Sequence, residues 1–395
     1  MSTSWPALRW EEQSWDPGPG WGRTPRERAL AGRRYRSALA PPITDRVLRV
    51  DSDVLAHAED AAAAMARFDA SGPIQYGAVI AILLRSESAS SSQIEQISAS
   101  ARAVAEAELT GRGRGNAATV AANVTAMRAA LELSDHLDVS AVAAMQAALL
   151  QESAPHMVGW RTEPVWIGGG SSTPVDADFV PPHHTRLAAG LEDLVTFMER
   201  TDLPVLVQAA IAHAQFETLH PFPDGNGRTG RALVHAFLRR KGLTRSVTVP
   251  VSGGLLADRE RYIAALTTYR AGRPEAIVRV FADAALHAVD HGGRLAAELT
   301  QLQRRWETQL TARVDSAAWR LLVELPAHPV LDASTAAELI GSDRRNVHRH
   351  LRALVDAGIL RSANHHGSGR ILFRAPEVLQ ALDTYAEAVG RRSRG

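Results

Sequence analysis

Between residues 204 and 240 a helix-periodic stretch is broken once, by Leu-His-Pro-Phe-Pro-Asp-Gly-Asn-Gly-Arg-Thr-Gly-Arg at 219–231. Proline inside a helix removes a backbone hydrogen bond and clashes with the preceding turn. The pattern therefore demands a helix, a tight loop and a second helix. Arg239, Arg240 and Lys241 followed by Gly242 suit the far end of that second helix: cations sit on the negative end of its dipole, and glycine lies past the cap. At its near end, unpaired backbone N–H groups point forward. Gly225 and Gly227 let that backbone approach a ligand, and the helix N-terminus makes it an anion site. Arg228 and Arg231 are three residues apart, on one side of the first turn, and suit a polyphosphate. Asp224 would repel that phosphate unless a Mg²⁺ bridged the two, as Mg²⁺ does with one or two carboxylates plus phosphates. His220 is the proton acceptor at hand, with an ordinary pKa of about 6.5. Phe222 reads as an apolar anchor for the loop.

Composition narrows the chemistry around this loop. The chain has 395 residues, a formal net charge of +1 and no cysteine. A disulfide framework, a thiolate metal site and a cysteine nucleophile are therefore excluded. Hydrophobic residues make up 45%, enough for sizeable cores and two or three domains. No apolar run has the length of a membrane span, and the N-terminus has no signal-peptide pattern. The expectation is a cytoplasmic, bacterial protein with no membrane contact. Lys241 is the only lysine, so arginine at any one position carries little meaning of its own.

Four segments are expected along the chain. Residues 1–45 read as an irregular N-terminal wrapping segment. Residues 46–150 read as an Ala-rich helical region, and 151–300 as a helical core holding the loop. Residues 315–395 read as a separate small domain. Within 162–182, Thr-Glu-Pro-Val-Trp-Ile-Gly-Gly-Gly-Ser-Ser-Thr-Pro-Val-Asp-Ala-Asp-Phe-Val-Pro-Pro places β-branched and aromatic residues around a Gly-Ser turn, which predicts a short hairpin. The chain shows no internal repeat.

The loop matches the Fic-family signature His-x-Phe-x-(Asp/Glu)-Gly-Asn-Gly-Arg-x-x-Arg at every specified position; the Walker A lysine pattern is absent. The resemblance covers roughly residues 40–290. It implies an all-α Fic fold with a small β-hairpin flap, and transfer of AMP from ATP, with Mg²⁺, to a protein hydroxyl. His220 would deprotonate the incoming Ser, Thr or Tyr hydroxyl. Asp224 would hold the metal. Gly225, Asn226 and Gly227 would line the phosphate site, and Arg228 and Arg231 would bind phosphates. The flap, Val165, Trp166, Ile167 and Gly168 with 180–182 opposite, would hold the target's extended backbone by strand-like pairing. Tyr262 lies where the family's adenine contacts fall, with Ile263 in place of a second tyrosine. Tyr262 is equally readable as a core residue.

Residues 90–100, Ser-Ser-Ser-Gln-Ile-Glu-Gln-Ile-Ser-Ala-Ser, resemble the family's inhibitory helix, (Ser/Thr)-x-x-x-Glu-(Gly/Asn). Ser91 and Glu95 fit it. Gln96 departs from it, since a left-handed conformation costs glutamine more than Gly or Asn. The implied role is a Glu95–Arg231 ion pair that misorients ATP.

Near the C-terminus the sequence predicts helix Thr335–Ile340, turn Gly341–Asp343, helix Arg344–Ala357 and a hairpin over 360–374 with a Gly-Ser tip. Asp343 is expected to cap the second helix and Gly358 to close it. This outlines a winged helix-turn-helix (α+β) domain. Over 334–374 seven arginines face three acids, a balance of +4. Arg344, Arg345, Asn346, His348, Arg349 and Arg352 would show on the second helix, the first five as DNA contacts. Protein contact or dimerisation are the alternative uses of such a module.

Two classes of function follow. In the first, the chain is a protein adenylyltransferase restrained by Glu95, acting on an unidentified protein or on itself, and dimerising as such proteins often do. In the second, it is a DNA-binding regulator whose core senses nucleotide. Removal of AMP, or use of another nucleotide donor, are variants of the first.

Overall fold

The computed structural model describes residues 5–16, 29–71, 77–111, 113–168, 173–364 and 370–390. The Gly-Ser turn expected at 169–172, the tip expected at 365–369 and the side chain of Arg344 lie outside the described residues. In chain order the elements are β1 (Arg9–Ser14), β2 (Arg34–Leu39), α1 (Ser52–Ser71), α2 (Gly77–Ile94), α3 (Ala101–Thr110), α4 (Asn116–Glu132), α5 (Val139–Leu150), α6 (Leu187–Glu199), α7 (Val205–Leu219), α8 (Asn226–Arg240), α9 (Val251–Ala257), α10 (Arg259–Arg270), α11 (Glu275–Gln309), α12 (Ala317–Glu324), β3 (Val330–Leu331), α13 (Ala333–Ile340), α14 (Arg344–Asp356), β4 (Arg361–Asn364), β5 (Ile371–Arg374) and α15 (Pro376–Val389). No described helix is long and apolar enough to cross a membrane. The chain divides into two compact units. One comprises Met1–Asp60, Ala129–Lys241 and Glu260–Ala282; the other comprises Ala61–Arg128, Gly242–Arg259 and Asp283–Gly395.

The first unit is built around α7, which is buried on every side from Leu206 to Leu219. A helix buried all round must satisfy its polar side chains internally. Gln208 Nε2 donates to the Phe197 carbonyl at 2.7 Å. Gln215 donates to the Pro41 carbonyl at 3.1 Å and accepts from the Tyr269 hydroxyl at 2.9 Å. Thr218 Oγ1 bonds back to the Ala214 carbonyl at 2.7 Å. Helix α8 packs tightly on α7 because Gly230 has no side chain. A Cβ there would come 2.8 Å from Phe216 Cδ1, inside van der Waals contact.

The N-terminal segment is not irregular where it is described. β1 and β2 pair antiparallel from Arg9↔Leu39 to Ser14↔Arg34. The pattern Arg34-Tyr35-Arg36-Ser37 alternates exposed and buried, a period of two that Pro- and Gly-rich composition masked.

In the second unit, α2 is rich in buried serines. Ser88 and Ser92 bond back to the Leu84 and Ser88 carbonyls, each at 2.9 Å. Asn123 Nδ2 reaches the Ser88 carbonyl at 2.8 Å. Helix α2 stops at Ile94, and Gln96 takes φ 63°. Ile97 N–H donates to the Ser92 carbonyl at 3.0 Å and Gln96 N–H to the Gln93 carbonyl at 2.9 Å. These two bonds are the Schellman closure, in which a left-handed residue turns the chain and satisfies the last carbonyls. Gln96 thus adopts the conformation expected of Gly or Asn. The turn's own hydrogen bonds offset the steric penalty.

Near the C-terminus, α13 and α14 flank a short turn, and β4 and β5 pair antiparallel in a sheet of order β3-β5-β4. Val347, Leu351 and Leu354 are the buried stripe of α14. Asp332 caps α13, accepting from Ser334 and Thr335 N–H at 3.0 and 2.9 Å. Asp343 sits at the N-cap of α14 but its carboxylate makes no capping bond. The Asn346 N–H, at the position such a cap would bond, donates to the Asp343 carbonyl at 2.9 Å. Gly358, at φ 76°, follows α14 as expected.

Gln96→Gly should stabilise the protein, because glycine removes the left-handed penalty of about 1–2 kcal/mol and gives part of it back as unfolded-state entropy. The expected net gain of about 0.5–1 kcal/mol would appear as a melting temperature a few degrees higher in calorimetry. An unchanged or lower melting temperature would refute this account of the turn.

Candidate active site

His220 ends α7. Proline at 221 disfavours the helical conformation for the residue before it. His220 takes φ 47° and ψ 60°, and its N–H closes the helix on the Phe216 carbonyl at 2.9 Å. A non-glycine residue held left-handed is a strained position of the kind that collects at functional sites. Its imidazole is partly exposed, and Nδ1 lies 3.7 Å from Glu217 Oε2. That contact puts Nε2 on the opposite edge of the ring.

The loop after His220 is fixed from within. Phe222 is fully buried and stacks on Trp160, with centroids 4.7 Å apart and planes 11° off parallel. Asn226 spends its whole amide on Phe222, accepting from its N–H and donating to its carbonyl, both at 2.9 Å. Its side chain therefore shapes the loop rather than facing outward. Gly225 is left-handed, φ 82°, and a Cβ would come 2.8 Å from Leu149 Cδ2. Gln146 Nε2 holds the Met157 carbonyl at 2.8 Å and the Asp224 carbonyl at 3.3 Å.

Arg161 ties the loop to its surroundings. Its Nε donates to the His220 carbonyl at 2.8 Å. Its Nη2 reaches the carbonyls of Leu219, at 3.3 Å, and Pro182. Its Nη1 reaches Glu163 O at 3.4 Å, and its own N–H donates to Pro221 O at 3.0 Å. Burial draws its pKa down to about 10, so it stays charged at neutral pH. Sequence reasoning missed Arg161, Gln146 and Trp160. None belongs to a motif, and in an arginine-rich chain nothing distinguishes Arg161 from the rest.

Helix α8 starts at Asn226, directly behind this loop. Arg228 and Arg231 in its first turns are buried, and Arg228 Nη2 lies 3.3 Å from Asp224 Oδ2. The Asp224 carboxylate is 53% exposed. The backbone amides of a helix start, Arg228 and one accessible carboxylate thus meet at the loop, while Arg231, one turn on, is buried with its charge near His213. Tyr262, open between core and ligand on sequence grounds, is buried, and its hydroxyl lies 2.7 Å from His213 Nε2.

The expected flap is smaller than a hairpin among the described residues. Ile167 and Phe179 exchange both backbone bonds, at 2.8 and 3.1 Å, as a single antiparallel bridge. Val165 and Trp166 are partly buried beside it, and Gly168 is exposed at φ 75°. In the other unit, Ser91 is fully buried on α2, whereas Glu95 is exposed at the turn that Gln96 closes. Arg345, Asn346, His348, Arg349 and Arg352 are all exposed on α14.

His213 generates a pH dependence. Burial, then the nearby Arg231 charge, push its pKa down to about 3, against about 6.5 unfolded. The unfolded chain therefore binds the extra proton between these values. This contribution to stability is complete above pH 6.5 and is lost as pH falls toward 3. His213→Asn should flatten the fall in denaturant midpoint between pH 6.5 and 4; an unaltered slope would refute it.

Residues 136–238 match the model of the Fic/DOC family. A probable protein adenylyltransferase of Aquifex aeolicus is 37% identical over 92 residues, 23% of this chain and 26% of that protein. The protein adenylyltransferase fic-1 of Caenorhabditis elegans is 30% identical over 149 residues, 38% of this chain and 27% of that protein. The chain thus spans about a quarter of the length of these curated relatives. A Fic family protein from Desulfovibrio desulfuricans G20 superposes with a TM-score of 0.51 at 19% identity, covering 85% of this chain and 98% of that one; that likeness is one of fold. A left-handed histidine, a loop locked by its own asparagine and a helix start carrying two arginines all fall inside residues 136–238, the segment that is similar to the Fic/DOC family.

Proposed function

We propose that this protein is an adenylyltransferase that moves AMP from ATP to a Ser, Thr or Tyr hydroxyl of a protein. The supporting observation is His220 held beside the N-terminus of α8 by a loop whose shape needs no ligand. His220 takes the hydroxyl proton, and the oxygen attacks the α-phosphorus. The bond from that phosphorus to the β-phosphate oxygen breaks, and pyrophosphate leaves. Such a transfer is accelerated by positioning and charge stabilisation. Arg228, Arg231 and the amides of Gly225 to Gly227 take the phosphates, with Asn226 acting through the loop it closes.

Mg²⁺ fits this set. Asp224 offers one accessible carboxylate, and no group of three or more candidate ligands occurs among the described residues. One carboxylate completed by phosphate oxygens and water is a usual Mg²⁺ site. When bound, the ion neutralises phosphate charge; Asp224 would hold it, exchanging its contact with Arg228 for the metal. The relatives' names as adenylyltransferases support the same reading. A cytoplasmic setting, where ATP and protein hydroxyls meet, goes with it. The target is another protein or a second copy of this chain in a homodimer.

Glu95 is the restraint in this reading, acting on the arginine that the γ-phosphate needs. The turn at Gln96, left-handed as in the family pattern, favours it. The first test is self-modification with ATP labelled on the α-phosphate and Mg²⁺. Glu95→Gly should label strongly, the parent weakly, and Glu95→Gly with His220→Ala should fall by at least about 10²-fold, the share of a general base. Equal labelling of parent and Glu95→Gly would remove the restraint. Label persisting without His220 would remove the assigned base.

A second activity rests on α14. The helix pair, the β4–β5 pair and the α14 face of Arg345, Asn346, His348 and Arg349 support a winged helix-turn-helix that contacts DNA, with Arg344 at the start of the helix. Near-neutral overall charge makes this local basic face the relevant electrostatic footprint. Arg345→Ala with Arg349→Ala should weaken DNA binding and reduce the salt slope by about 1–2. No binding by the parent at low salt would leave the module to protein contact.

A further inference from the structure

The N-terminal hairpin continues into the flap. β1 pairs with β2 through six residue pairs. Ala38 of β2 then donates its N–H to the Val180 carbonyl at 2.9 Å. Phe179, next to Val180, pairs with Ile167. Four extended segments therefore lie side by side in the order β1, β2, 179–180 and 167. Aromatic contacts run across the same layer. Trp15 meets Trp166 edge to face with centroids 5.5 Å apart, and meets Tyr35 at 6.4 Å. Trp10 meets Phe179 at 6.1 Å. Trp15, Tyr35 and Val180 form one buried cluster against which Trp166, Val175 and Ala177 pack. On the other side, Arg270 stacks its guanidinium 3.6 Å above Phe179.

A single β-bridge cannot hold a strand edge by itself, since isolated two-stranded pairings are marginal in water. A partner that adds a strand to this edge gains most when the edge is already ordered, because ordering it on binding subtracts from affinity. We infer that the N-terminal hairpin is a positioning element of the target-docking surface: it holds the edge at Val165–Ile167 in place for an extended segment of the acceptor protein, through the Trp15–Trp166 contact and the Ala38–Val180 bond. The inference rests on the reading of the flap as the acceptor's seat. It adds that acceptor recognition is built partly from a segment far upstream of the matched Fic domain. Neither the Trp15–Trp166 contact nor the Ala38–Val180 bond touches the His220 loop or α8, which form the nucleotide site.

The test uses the full chain with Trp15→Leu, and Trp15→Phe as the variant that retains an aromatic edge. In hydrogen exchange, the Ile167 and Phe179 amides should open about tenfold faster in Trp15→Leu, the scale of one lost aromatic pair. Amides of α7 and α8 should be unchanged, and Trp15→Phe should fall between parent and Trp15→Leu. In the second arm, α-phosphate label is transferred from a Glu95→Gly chain to increasing amounts of a His220→Ala chain as acceptor. Trp15→Leu in the donor should raise the acceptor concentration for half-maximal rate by about tenfold and leave the ATP dependence unchanged. Equal exchange at Ile167 and Phe179, an unmoved acceptor dependence, or a parallel shift in ATP dependence would each overturn the inference. If no chain transfers label, a second copy of this chain is not the acceptor, and the exchange of the Ile167 and Phe179 amides alone decides the brace.

Discussion

The guanidinium of Arg161 holds together what proline and strain would otherwise loosen. The last turn of α7 must end at a histidine before a proline, in a backbone conformation that histidine disfavours. Charge-assisted hydrogen bonds to buried carbonyls are stronger than neutral ones. Arg161 supplies them to His220, Leu219 and Pro182. One side chain thus sets the direction of the His220 backbone and of the segment leaving the flap. Its removal would leave several buried carbonyls unpaired, at a cost of about 1–3 kcal/mol each.

A second theme is the use of left-handed residues that are not glycine. The described residues include two, His220 and Gln96. Each ends a buried helix, and each is held by bonds from its own turn. His220 points a base away from the axis of α7. Gln96 lets Glu95 leave α2 on the exposed side. Backbone strain at both places is offset by hydrogen bonds nearby, and the two residues of greatest chemical interest lie at or next to them.

Much of this was legible in the sequence, because it was written in local patterns. Two prolines and three glycines within 219–231 forced the helix–loop–helix, and the cations before Gly242 marked where α8 stops. Periodicity located α13 and α14 with boundaries that shift by one or two residues. What stayed hidden depends on contacts between distant segments. Arg161 is unremarkable until folding brings three carbonyl-bearing stretches around it. Asn226 looks like a phosphate ligand until its amide is seen bonded to Phe222. The β1–β2 hairpin was hidden by its Pro- and Gly-rich surroundings, and Asp343 failed as a cap because a backbone carbonyl took its donor first.

The Asn226–Gly227 step has a consequence for the protein's ageing. Asparagine before glycine is the dipeptide most prone to lose its amide, through attack of the next backbone nitrogen on the side-chain carbonyl. That attack needs a flexible backbone and a free side chain. Here the side chain is bonded at both ends to Phe222 and the backbone is the first turn of α8. The lock that shapes the loop therefore also shields it from chemical decay. An unfolded copy would convert this asparagine to aspartate or its isomer and, on refolding, would set a carboxylate against the Phe222 carbonyl. The folded loop keeps its own time, and a chain that has lingered unfolded would carry the mark at the centre of its site.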